Sequence, residues 1–198
     1  MPEPTICVAL DSTTVKAMVD EAARASTAGA DLVEIRFDRL YLSKPEPVEV
    51  EQEDGETKLV MPPESEWQIN DATSIDAAAS IQKLKESIGI PVIFTNRPPR
   101  EGGFFPGTEE ERIEILNLAI ASNVTWIDIE TSIEETEFKA LNESAKKAGC
   151  KVIHSSHDIN GTPNSEDIAT FVREKSEDSD MVKFCSTAHS HLDALQIV

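Results

Sequence analysis

Short apolar runs alternate along this chain with longer segments of helical periodicity, and no other feature limits the fold as much. Strands are expected over residues 5–10, 31–38, 91–97, 126–130, 150–158 and 180–186. Helices are expected over 13–28, 74–87, 109–122, 133–148 and 166–174, with a last one beginning near His189. Gly29, Gly89 and Gly149 supply stop signals. Thr108 with Glu111 forms a capping box, and Ser165 reads as the cap of the fifth helix. Strict strand–helix alternation implies parallel strands joined by right-handed crossovers.

Two architectures fit that order, an open doubly wound sheet and a closed (β/α)8 barrel. Strand chemistry favours the barrel. In residues 31–38, Val33, Ile35 and Phe37 share one face, while Glu34, Arg36 and Asp38 share the other. In residues 126–130, Ile127 and Ile129 lie opposite Asp128 and Glu130. A sheet covered by helices on both faces would carry near-continuous apolar strands instead. The chain is therefore read as one α/β domain, a (β/α) barrel over 1–198 with about six βα units. The segment 39–73 interrupts the rhythm as an acidic insertion, either a β-hairpin turning at Glu53-Asp54-Gly55 or a disordered loop.

The 198 residues carry 37 Asp plus Glu against 18 Lys plus Arg, a formal net charge of −19 that repels phosphate backbones and argues against nucleic-acid binding. The acidity extends well beyond the 39–73 segment, which favours a surface adapted to high salt, as in halophilic proteins, over a local bias. Cys7, Cys150 and Cys185 all lie in or beside apolar strand patterns and read as small, buried, reduced thiols. The N-terminus lacks a signal pattern, and no apolar run is long enough to span a bilayer; a cytoplasmic protein with no membrane partner is expected.

Ionisable residues collect at the C-terminal ends of the expected strands: Glu34, Arg36 and Asp38; Arg97; Asp128 and Glu130; His157 and Asp158; Lys183. In barrel enzymes chemistry occurs at that edge. Each residue alone has a bland reading as an ion pair or a snorkelling side chain, but charges on successive strands are expensive to bury unless function requires them. Lys183 stands out within the apolar run Met181-Val182-Lys183-Phe184-Cys185. Burial disfavours the charged form of an amine, and a neutral amine can condense with a carbonyl to form a Schiff base. His157 ends the neighbouring strand. His154 has the opposite parity and reads as packing. His189 and His191 do not share a helix face, so a metal site there is not expected.

Five segments together resemble type I 3-dehydroquinate dehydratase, the Schiff-base enzyme of the shikimate pathway of aromatic amino acid biosynthesis. They are Glu34-Ile35-Arg36-Phe37-Asp38, then Phe94-Thr95-Asn96-Arg97 with Glu101-Gly102-Gly103, Asp128-Ile129-Glu130, Ser155-Ser156-His157-Asp158 and Val182-Lys183-Phe184. Their order and spacing agree over nearly the whole chain apart from the acidic insert. The resemblance implies a TIM-type barrel lyase acting on 3-dehydroquinate. Lys183 would condense with the C3 ketone, and His157 would act as general base and then acid. Glu101 would orient and tune His157, while Glu34, Arg36 and Arg97 would bind substrate. No metal or organic cofactor is implied.

The family barrel has eight strands, whereas six are counted here. The last two βα units would carry a carboxylate-binding arginine and a loop that closes over the substrate. A fragment is the favoured explanation, with completion by another chain or a degenerate protein as alternatives. Two further functions stay open, a class I aldolase and an inactive or partner-dependent barrel fragment. The oligomeric state is also open, a homodimer being one option.

Overall fold

The computed structural model of the chain describes residues 4–51 and 55–197. Each apolar run forms a strand of one sheet: β1 (Cys7–Leu10), β2 (Leu32–Arg36), β3 (Val92–Thr95), β4 (Trp126–Glu130), β5 (Lys151–Asp158) and β6 (Met181–Ser186). All five pairings are parallel, and every strand lies beside the next one in sequence. A doubly wound sheet reverses its order at a switch point. None occurs here, so the crossovers all proceed in one direction, as in a barrel.

A side-chain contact shows how strongly the sheet curls. Four inter-strand steps of about 4.8 Å would put β2 and β6 about 19 Å apart in a flat sheet. Yet Lys183 Nζ on β6 lies 3.6 Å from Glu34 Oε2 on β2. The concave face must therefore bring the two strands toward each other. Polar side chains occupy that face. The opposite face carries Val33, Ile35, Phe94, Ile127, Ile129 and Val152 in the main apolar core.

The helices α1 (Val15–Thr27), α2 (Ala77–Ser87), α3 (Glu109–Ala121), α4 (Glu135–Ala148), α5 (Ser165–Lys175) and α6 (His191–Leu195) follow the strands. Met18, Ala22, Ile81, Leu84, Leu116, Ala119, Phe138, Leu141 and Ala145 pack against the apolar face of the sheet. Local chemistry sets the ends. The Thr108–Glu111 capping box is present at α3, and α4 stops at Gly149, whose φ of 71° suits a residue without a Cβ. Among the helix starts that differ from the sequence reading, two are explained by their caps. Asn164, not Ser165, caps α5 by accepting from the Asp167 backbone. Asp76 caps α2, so that helix begins at Ala77, with Ala72–Ser74 forming a separate 3-10 turn.

After β2 the chain does not continue as a strand to Asp38. Phe37–Tyr41 closes into a 3-10 turn. Further along this excursion, Leu42–Ser43 pairs antiparallel with Gln68–Ile69, and Val48–Glu51 with Thr57–Val60. The proposed turn residues Glu53 and Asp54 lie outside the described residues. Arg39 tethers the excursion to the barrel, donating to the Asp11 carbonyl at 2.9 Å and to both Glu64 carboxylate oxygens at 3.0 and 2.6 Å. The thiols do not share one environment as expected. Cys150 is buried, but Cys185 is half-buried and Cys7 exposed, because β1 and β6 bury their residues less than the strands between them. No helix among the described residues is long and apolar enough to cross a membrane.

Leu116 on α3 is fully buried in the core. Leu116→Ala is expected to destabilise the protein by about 2–5 kcal/mol, read in urea unfolding as a lower midpoint with an unchanged m-value.

Candidate active site

Strand alternation aims Glu34, Thr95, Asp128, Glu130, Ser155, His157 and Lys183 into the concave face, where their charges must compensate one another in a nearly dry space. Arg97, just past the end of β3, supplies the central cation. Its Nη2 donates to Asp128 Oδ2 at 3.1 Å and lies 3.7 Å from Glu34 Oε1, while its Nε is 3.5 Å from Glu130 Oε1. Thr95 Oγ1 donates to Glu34 Oε1 at 2.7 Å, and Ser155 Oγ donates to Asp128 Oδ1. Burial would raise the Glu34 pKa, but Lys183, the Thr95 hydrogen bond, Arg97 and Arg36 together bring it below its ordinary value. Glu130 goes the other way. Burial and the neighbouring Asp128 push it up to about 7, against the pull of Arg112 and Arg97.

The apolar surroundings expected for Lys183 are not what the structure provides. Val182 and Phe184 point away from the concave face, and Phe184 meets Phe171 of α5 edge-on at 5.4 Å. Lys183 has the opposite parity, so it points inward and is 31% exposed. Its Nζ lies 3.6 Å from a carboxylate oxygen of both Glu34 and Asp128. The apolar run surrounds the lysine in sequence but not in space.

His157 is held by Glu101. The imidazole Nδ1 lies 3.1 Å from Glu101 Oε2, and the His157 backbone N–H donates to the same oxygen at 3.0 Å. That leaves Nε2, which is buried and has no hydrogen-bond partner. Burial would lower the His157 pKa, but interactions with Cys185 and Glu101 outweigh it and raise the value. Burial would raise Glu101, yet hydrogen bonds from His157 and Ser132 hold it below its usual range. Glu101 ends the 3-10 turn Pro99–Glu101, and Gly102 follows at φ 74°. A Cβ on Gly103 would lie 2.0 Å from the Arg97 carbonyl oxygen. Glycine therefore lets the loop fold back tightly enough to present Glu101 to His157.

The structure thus gathers Lys183, Glu34 and Arg97 into one network and seats the His157–Glu101 pair on the same concave face. Arg36 is different. Its Nε and Nη2 form a bidentate pair with Asp38 at 2.9 and 2.8 Å, and Asp38 also accepts from the Phe104 backbone at 3.1 Å. Asp38 is therefore a clamp between Arg36 and the loop beyond β3. His154 stacks on Phe138 with ring centroids 3.9 Å apart, and burial pushes it down to about 4, so it is neutral packing.

Arg112 did not stand out in the sequence, since a helical arginine usually faces solvent. Here it is fully buried, with Nη1 donating to Glu130 Oε2 at 2.6 Å and Nη2 to Glu109 Oε1 at 2.7 Å. Thr95 and Ser155 lie in segments that carry the resemblance but had no role of their own, because a hydroxyl beside a carboxylate becomes visible only once strands are in register. Among the described residues, no group of three or more His, Cys, Asp or Glu side chains is placed to hold a metal ion. The arrangement can condense an amine with a carbonyl beside two carboxylates, and it can transfer a proton through an oriented imidazole.

The chain is similar to known proteins over nearly all of its length. Residues 6–198 match the family of type I 3-dehydroquinase. The 3-dehydroquinate dehydratase of Methanothermobacter thermautotrophicus is 32% identical over 193 residues, covering 98% of this chain and 70% of that protein. That of Methanosarcina barkeri is 32% identical over 178 residues, covering 88% of this chain and 62% of that protein. The chain thus spans roughly two thirds of their length. The fold is similar to the solved 3-dehydroquinate dehydratase of Enterococcus faecalis, with a TM-score of 0.75, 24% identity, and coverage of 98% of this chain and 70% of that one.

The ion cluster behind the site has a testable pH signature. Burial would raise Glu109, but its bonds to Arg112 and Arg100 lower it from 4.5 to about 2. A depressed carboxylate contributes stability above its unfolded pKa, and that contribution disappears as pH falls through the folded value. The stability difference between wild type and Glu109→Gln, measured by urea unfolding, should be full above pH 4.5 and shrink toward zero near pH 2. A difference that stays constant over this window would contradict the assignment.

Proposed function

Since the chain belongs to the type I 3-dehydroquinase family, we propose that it is a 3-dehydroquinate dehydratase, a lyase that works through a Schiff base on Lys183. The observation that carries this reading is the pairing of an inward-facing amine on β6 with a carboxylate-held imidazole on β5. Lys183 lies opposite Ser155 in the strand register, and His157 lies two residues further along the same face.

The reaction proceeds in balanced steps. The Lys183 amine adds to the C3 ketone of 3-dehydroquinate, and loss of water gives an iminium. The cationic nitrogen withdraws electrons and acidifies the C2 proton. His157 removes that proton, leaving an enamine, and then returns a proton to the C1 hydroxyl as it departs as water. Hydrolysis of the conjugated iminium releases 3-dehydroshikimate and regenerates the amine. Glu101 keeps the imidazole oriented and stabilises its protonated form. Glu34 and Arg97 would bind substrate oxygens near Lys183, with Arg36, paired to Asp38, doing so from the same edge. The acidic surface disfavours phosphate-backbone partners, and the reading is of a cytoplasmic biosynthetic enzyme with a small polar substrate and no cofactor requirement.

Borohydride added with 3-dehydroquinate should trap a mass adduct on Lys183, and Lys183→Ala should abolish it; no adduct in wild type would sink the imine mechanism. His157→Ala should retain the adduct while turnover falls by about 10²–10⁴-fold. Glu101→Gln tests the tuning. The neutral imidazole is the active base, so its pKa marks the acid limb of kcat/KM. Removing a carboxylate that raises His157 should move that limb to lower pH. An acid limb that stays put or rises would argue against this role.

A further inference from the structure

The inward residues of β5 and β6 form a block of four. Ser155 pairs with Lys183, and His157 with Cys185, in the parallel register, so all four share one face of the sheet. Cys185 is the member the proposed mechanism leaves unused. The other thiols are poorly placed to react. Cys150 is buried, and burial with the nearby Asp180 pushes it up to about 11. Cys7 is raised by desolvation and by the Glu34 carboxylate. Cys185 is half-buried, and its interaction with the His157 ring holds the thiol below its ordinary range against the effect of burial, with Lys183 and Arg97 adding favourable charge. The imidazole itself is 10% exposed; its Nδ1 is engaged by Glu101, and its Nε2 is buried without a hydrogen-bond partner. A partly accessible thiol beside an imidazole and two cations is the setting in which thiolates form and attack.

We propose that Cys185 and His157 form a thiol–imidazole pair, and that Cys185 is a site of covalent modification by low-molecular-weight disulfides, with the adduct placed directly beside the imidazole. Cys185 gives its proton to the imidazole, and the thiolate attacks one sulfur of the disulfide R–S–S–R. The S–S bond breaks as a Cys185–S–S–R bond forms. The departing RS⁻ takes up a proton, so Cys185 is oxidised and the leaving half reduced to thiol. Only the consequence for catalysis rests on the dehydratase reading; the thiol's reactivity does not.

The test treats the native chain with oxidised glutathione at neutral pH, quenches in acid and maps adducts by mass spectrometry. Cys185 should acquire glutathione at least about tenfold faster than Cys7 or Cys150. His157→Asn should slow labelling of Cys185 several-fold and leave Cys7 unchanged. Equal rates at Cys7 and Cys185, or a wild-type rate at Cys185 in the Asn variant, would overturn the proposal. If that variant does not fold, the pH dependence of the wild-type chain decides. The groups facing the thiol are His157 from β5, Lys183 from its own strand and Arg97 from the end of β3, with Glu101 behind His157. Below neutrality the Cys7 rate should drop about tenfold per pH unit while the Cys185 rate declines less; parallel declines would refute the pair. The readout is mass, so its failure is distinct from any failure of dehydratase activity.

Discussion

Arg97 is the interaction on which the concave face depends. One guanidinium stands within 3.7 Å of Glu34, Asp128 and Glu130, carboxylates from two strands. Removing a carboxylate from water is costly, and packing several together adds mutual repulsion. The same acids also meet Lys183 and Arg112, so the network runs from α3 through the sheet to β6. Buried ion pairs of this kind add little net stability over an apolar core. What they confer is position: each side chain has one place where its charge is matched, and Lys183 is held between Glu34 and Asp128.

The imidazole is placed by a different device. Glu101 binds both the ring and the backbone N–H of His157 through one oxygen. This pair of hydrogen bonds ties the loop after β3 to the end of β5 across the intervening strand β4. It works only because the backbone reverses sharply at Gly102 and Gly103, where a Cβ on Gly103 would collide with the Arg97 carbonyl. The residue that compensates the carboxylates and the residue that orients the histidine thus come from one short loop, and a shift of that loop would disturb both.

Periodicity marked the six strands of the parallel sheet and, among the described residues, the six α-helices to within a few residues, because alternation and capping act over short distances. The errors fall where a local choice was decided by a partner elsewhere. β2 ends early because Asp38 turns to meet Arg36 and the Phe104 backbone. The start of α5 is the local exception, with Asn164 in place of Ser165 accepting from the Asp167 N–H three residues on. Arg112 lies on a helix that gives no sign of an inward arginine, and its pairing with the buried Glu130 on β4 shows why it turns in.

The candidate site divides in the same way. Residue type and strand parity were enough to select Lys183, His157, Glu34 and Arg97, since a two-residue period assigns each side chain to a face before any partner is known. The surroundings of those side chains were not written there. Neighbours in sequence made Lys183 look buried in apolar residues, whereas the curl of the sheet sets it between two carboxylates. Cys185 looked like a small buried thiol until the register placed it opposite His157. Facing is a property of the local backbone, but the company a charge keeps depends on how strands far apart in sequence close around it.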